Sequence, residues 1–145
     1  MERRAFLATV AATGWFAATA GCLERLPGVG LETSFETTAA ELSVEEPPDV
    51  TVDGDDVVVR GTIEYGSSSC GGIELAHAEY ESSQRRLDVL VVAADDSGWA
   101  SACSDDLVEE GYRLEATVGD ELRRVAATEH HAFGETYSTT VDGLD

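Results

Sequence analysis

Three cysteines, three histidines and a few clustered acids are the residues of this chain with chemistry to offer. A thiol from Cys70 or Cys103 beside His77 or His130 would make a nucleophile. His77, His130 and His131 with Glu79 or Glu129 would make a transition-metal set. The pattern argues against both. On a strand His130 and His131 point to opposite faces, so they cannot serve one site without a bulge. Nothing in the sequence orients a thiol against an imidazole. A blue-copper centre needs two His, a Cys and usually an axial Met, yet the one Met is Met1 and no Cys is followed closely by His. Asp53-Gly54-Asp55-Asp56, Asp95-Asp96 and Asp105-Asp106 invite calcium, but none has the alternating acids, Gly and terminal Glu of a calcium loop. Ser67-Ser68-Ser69 lacks the surrounding glycines of a nucleophile elbow, and no phosphate-cradling glycine loop or dinucleotide fingerprint occurs. The expectation is a non-catalytic protein with no metal and no cofactor.

The elements that must position these residues begin with an address. Arg3-Arg4-Ala5-Phe6-Leu7 resembles a twin-arginine export signal. An apolar run rich in Ala, Thr and Gly follows, shorter than the about 20 residues a membrane span needs. It ends in Thr19-Ala20-Gly21-Cys22, which resembles a lipobox, the site where the Cys is lipidated and becomes the new N-terminus. Thr19 stands where Leu is usual. Residues 1–21 are therefore expected to be a lipoprotein signal peptide and Cys22 the lipid anchor. One lipid chain holds a protein at a membrane only marginally, and the diacylglyceryl group that the lipobox implies supplies two. With Cys22 taken by lipid, Cys70 and Cys103 are left as an even pair in an oxidising, extracytoplasmic setting, which predicts a disulfide.

The charge is extreme: 9 basic residues against 29 acidic, a net of −20, with no Lys, no Asn and one Gln (Gln84). Such a surface repels nucleic acid and anionic lipid heads, so neither is expected as a direct partner. The acids are dispersed among Val, Leu, Ile and Tyr, which distinguishes the chain from a disordered acidic tail. At 1 M salt the screening length is about 3 Å, and self-repulsion that would open such a domain in dilute buffer is largely removed. The composition resembles that of halophilic archaeal proteins.

Downstream, Leu23 to Pro48 has no steady period and ends in Glu45-Glu46-Pro47-Pro48. It reads as an acidic tether over residues 22–48, with Ser34 to Val44 open to an alternative reading as a first edge strand. From residue 49 short strands take over. Val50–Val52 and Val57–Tyr65 form a hairpin about the Asp53–Asp56 turn, where Gly54 is free to take positive φ. Ile73–Tyr80 loses its apolar beat between Leu75 and Ala78, which predicts a bulge near Ala76-His77. Leu87–Ala94 is apolar on both faces and should be central. Leu107–Val118 and Leu122–His130 follow, and Ala132–Val141 adds a candidate edge. Both Cys70 and Cys103 fall in loops flanking the two strands between them.

The fold expected is all-β, an immunoglobulin-like sandwich over residues 49–141, with a small open β-barrel as the alternative and a frayed tail over 142–145. Trp99, in the long loop beside Cys103, is the candidate recognition residue.

Val57-Val58-Val59-Arg60-Gly61-Thr62-Ile63, then Ser69-Cys70, Leu75, Ala78-Glu79-Tyr80, Leu87-Asp88-Val89, Ala102-Cys103 and Tyr112-Arg113-Leu114-Glu115-Ala116-Thr117 together resemble a family of small exported proteins of halophilic archaea. The resemblance covers roughly residues 50–125. Many members carry a close Cys pair near the Ala-Cys, whereas Ser104-Asp105-Asp106 follows here. The resemblance implies no activity. The expectation is a cell-surface lipoprotein, membrane-held and facing the exterior, acting as a binding or structural module. The alternative is an accessory subunit of a transporter or envelope complex, with an envelope protein as partner.

Overall fold

In a computed structural model of the chain, residues 30–95 and 102–144 are described. The alternation of apolar and polar side chains makes eight strands and, among the described residues, no helix. They are β1 (Leu31–Thr38), β2 (Asp49–Asp53), β3 (Asp56–Gly66), β4 (Gly71–Glu81), β5 (Arg86–Asp95), β6 (Leu107–Val118), β7 (Arg124–His130) and β8 (Thr136–Val141). Each has one side to bury, and two sheets bury them against each other.

The first sheet has the order β1-β6-β3-β2 and the second β4-β5-β7-β8. Neither closes on itself, so the all-β sandwich expected from the sequence is the architecture and a barrel is not. Every pairing is antiparallel except β5 with β7. A parallel pair cannot be joined by a tight turn. Here the chain leaves the second sheet after β5, lays down β6 in the first sheet, and returns as β7. The core between the sheets is built of Val57, Val59 and Ile63 from β3, Leu87 and Val91 from β5, Leu114 and Val118 from β6, and Val125 from β7, all essentially inaccessible.

Several expectations are met in detail. Gly54 turns the β2–β3 hairpin at φ +66°. Residues Leu75 and His77 of β4 face consecutive residues of β5, so Ala76 is the bulge. Strand β5 is central, with β4 on one side and β7 on the other; β4 itself is an edge.

Two boundaries move. The sandwich begins at Leu31, inside the segment expected as tether. Leu31 pairs with Val118 and Phe35 with Leu114, and both turn to the core side while Glu32, Ser34 and Glu36 stay exposed. An edge strand needs only one half-apolar face, so two large apolar residues suffice. Residues 142–144 are not a frayed tail. Asp142 pairs with Arg124, and the Leu144 N–H donates to the Arg123 carbonyl while its side chain packs on the core.

The registers define two ends. One holds the β3–β4 loop, the start of β6 and the β7–β8 turn. The other holds the Asp53–Asp56 turn, the β4–β5 turn, residues 119–124 and the start of β1.

Candidate functional site

The loop Gly66-Ser67-Ser68-Ser69-Cys70 is poor in apolar residues and rich in donors, so only specific bonds can fix it. The first is covalent. Cys70 and Cys103 form a disulfide with Cα atoms 5.7 Å apart, closing a separation of 33 residues. It ties the β3–β4 loop to the connection between β5 and β6. On the chain-entropy account a loop of that size contributes about 3–4 kcal/mol.

The second set is a hydroxyl network. Ser69 N–H donates to Ser104 Oγ at 3.2 Å, and Ser104 N–H returns a bond to Ser69 Oγ at 2.8 Å. Ser68 N–H donates to Asp106 Oδ1 at 3.0 Å. Within the loop the Cys70 N–H reaches Ser67 Oγ and the Gly71 N–H reaches the Ser67 carbonyl. Asp106 therefore accepts from a backbone N–H first and from the Ser104 and Ser68 hydroxyls next, which lowers its pKa to about 2. The disulfide supplies connectivity, and the serines and Asp106 supply shape.

The two large apolar side chains most exposed among the described residues lie at this end. Leu107 opens β6, and Phe133, 70% exposed, tips the β7–β8 turn. Both share the end of the sandwich that carries the disulfide-clamped loop, and loops on a rigid β scaffold are where contacts are commonly made. Sequence reading missed Phe133. Its signal was an aromatic next to Gly134 inside a turn. Trp99 lies outside the described residues, as do Arg3, Arg4, Phe6, Leu7, Thr19, Ala20, Gly21 and Cys22.

The histidines separate. His77 is exposed on β4 with Glu79 at 3.4 Å, and His130 is exposed at the end of β7. His131 is buried. Its Nδ1 accepts the Glu64 N–H at 3.3 Å, so the ring proton sits on Nε2, which faces Glu129 Oε1 at 3.3 Å. The other oxygen of Glu129 takes the Tyr112 hydroxyl at 2.6 Å. Glu129 projects from β7, across the sandwich, onto β6. Space for it comes from β3: a Cβ on Gly61 would lie 1.9 Å from Glu129 Oε2 and 2.7 Å from the Tyr112 hydroxyl.

Glu129 is fully inaccessible, and burial raises its pKa above the ordinary carboxylate value, against the two hydrogen bonds that lower it. Burial likewise pushes the Tyr112 phenol up, and the Glu129 carboxylate adds to this. The cluster has no nucleophile. Its chemistry is that of a satisfied polar network, which fixes one packing of the two sheets and is costly if any member is lost. Thr62, on the other face of β3 from Gly61, has its Oγ1 buried without a hydrogen-bond partner. Among the described residues no three His, Cys, Asp or Glu side chains converge to hold a metal ion.

Compared with family models, with curated proteins and with solved structures, the chain matches none.

Proposed function

We propose that this chain is a non-catalytic lipoprotein of a haloarchaeal cell surface, exported by the twin-arginine route and held in the membrane through Cys22. Its β-sandwich serves as a binding or structural module in the envelope. The observation that carries this reading is the order of elements in one short stretch. Arg3-Arg4-Ala5-Phe6-Leu7, an apolar run and Thr19-Ala20-Gly21-Cys22 follow each other as export and lipidation require. A disulfide between the two remaining cysteines fits an oxidising compartment. The absence of Lys and the net charge of −20 fit a protein that folds in concentrated salt.

The contact surface of the module is the disulfide-clamped end, with Phe133 and Leu107. Exposed apolar side chains beside a rigid loop favour a protein partner, and this supports a second reading in which the module is an accessory subunit of an envelope complex.

The test is membrane partition. Wild-type protein should fractionate with membranes, and Cys22→Ser should release it to the medium or block its maturation. Unchanged membrane retention by Cys22→Ser would rule out the anchor.

A further inference from the structure

Arginine is scarce in this chain, and it is not spread evenly. Four of the six arginines among the described residues, Arg85, Arg86, Arg123 and Arg124, meet at the end of the sandwich opposite the disulfide. Parallel pairing sets Arg86 directly beside Arg124, an arrangement of like charges that is unfavourable by itself. Arg85 is held at φ +51°, where glycine would be cheaper. In that conformation its carbonyl accepts the N–H groups of both Arg123 and Arg124, which gathers the cluster.

Over this whole end acids outnumber the arginines, with Asp53, Asp55, Asp56 and Asp120 added to the direct partners, so any positive excess is confined to the arginines' own cleft. Glu121 is shared by Arg85 and Arg123 at 3.2 Å each, Arg86 pairs with Asp88 at 2.9 Å, and Arg124 with Asp142 at 2.9 Å. Each of these ion pairs is made through Nε, and Arg86 also donates from Nη1 to Gln84 Oε1 at 2.7 Å. Of Arg86, Arg123 and Arg124, the Nη edges left without such a bond among the described residues are therefore those of Arg123 and Arg124. A planar guanidinium bound through Nε keeps its Nη edge directed away from that carboxylate. Arg86, Arg123 and Arg124 line a cleft of about 430 Å³ together with Gln84, Asp142, Gly143 and Leu144, three guanidinium groups to one carboxylate. Guanidinium forks around a polar cleft match the geometry of a phosphate group.

The chain enters the sandwich at this same end, where the Gly30 carbonyl accepts the Gly119 N–H. Eight residue steps separate Gly30 from Cys22, a reach of at most roughly 28 Å. A lipid on Cys22 would hold this end toward the bilayer surface. Resting on the anchor reading proposed above, and against the expectation from net charge that anionic lipid heads are repelled, we infer that the arginine cleft takes the head-group phosphate of an anionic lipid in that membrane. The Asp53–Asp56 turn shares this end and opposes the contact. Screening over about 3 Å in molar salt weakens that repulsion more than a direct guanidinium contact. The cleft then orients the module, with the disulfide end turned outward.

The experiment uses the full chain as Cys22→Ser, which carries no lipid. It is sedimented in molar salt with vesicles of phosphatidylglycerol or of phosphatidylcholine. The apolar run is common to every arm, so the difference reads the cleft. Retention should be roughly threefold higher on phosphatidylglycerol, somewhat below what basic residues contribute at an anionic surface in ordinary salt. Arg86→Gln with Arg124→Gln should abolish the preference. Asp142→Asn, which frees Arg124 from its own carboxylate, should increase it. No preference in the parent, or one that survives the double arginine variant or does not rise with Asp142→Asn, overturns the inference. Binding of inorganic phosphate without any vesicle preference assigns the cleft to free phosphate and also overturns it. None of these arms depends on lipidation, so failure here is distinct from failure of the anchor, which the cell fractionation of Cys22→Ser reads.

Discussion

Asp106 and Glu129 are both carboxylates that accept hydrogen bonds from the protein, yet their regions impose opposite terms. Asp106 lies exposed in the disulfide-clamped loop, where the Ser68 N–H and two serine hydroxyls favour its charge. Glu129 lies between the sheets, where loss of water disfavours its charge more than Tyr112 and His131 restore it. The loop is fixed by a covalent link and many weak polar bonds at the surface. The interior cluster is fixed by fit, with Gly61 leaving the room that the carboxylate fills. The difference teaches how a small acidic domain stays specific: its surface loop needs connectivity, and its core needs one arrangement that cannot be repacked.

The comparison can be broken most directly at the covalent link. Cys70→Ser with Cys103→Ser should lower unfolding stability by about 3–4 kcal/mol, read from denaturant melts, because the hydroxyl network alone does not limit the unfolded chain. A loss within error would show that the serines and Asp106 hold the loop by themselves. Next is fit. Gly61→Ala places a methyl on top of Glu129 Oε2 and against the Tyr112 ring, and should cost about 2–3 kcal/mol. A neutral result would mean that the carboxylate has another place to go. Tyr112→Phe keeps the ring and removes the donor to Glu129, for a loss of about 1–2 kcal/mol.

The smallest effects sharpen the contrast through pH. A raised carboxylate binds its proton more tightly when folded. The contribution of Glu129 is therefore fully present below its ordinary value of 4.5 and lost as pH rises through its higher folded value. A lowered carboxylate does the reverse. The contribution of Asp106 is present above 3.8 and lost as pH falls toward about 2. Glu129→Gln should remove the downward slope on the upper side of that range, and Asp106→Asn should flatten the loss on the acid side. Stability curves in which the two variants change the same limb would contradict the opposing environments.

Local physics was legible in the sequence, and long-range geometry was not. The alternation from Val57 to Tyr65 and the broken beat at Ala76 reflect contacts between neighbours on one strand, and both stand in the structure. The Cys70–Cys103 pairing followed from counting thiols once Cys22 was assigned elsewhere. Strand β1 was legible only as the alternative edge strand from Ser34, three residues late, because an edge with only Leu31 and Phe35 facing inward carries little apolar signal. Glu129 shares the inward beat of Val125 and Ala127, so its burial was readable, but a carboxylate in that position reads as surface until its partners are known. Of those partners His131 lies only two residues on, just past β7, but Tyr112 comes from β6, and no spacing in the sequence announces that Gly61 of β3 leaves the room. The Arg85-Arg86 and Arg123-Arg124 pairs meet only because β5 and β7 run parallel, a pairing set by the passage of β6 through the other sheet.

The anchor proposed at Cys22 underlies the orientation proposed for the two ends. Mass spectrometry of the protein extracted from its own membranes tests it most directly. The account predicts an N-terminal Cys22 carrying a diacylglyceryl mass, with residues 1–21 absent. An unmodified Cys22 within an intact N-terminal segment would contradict it.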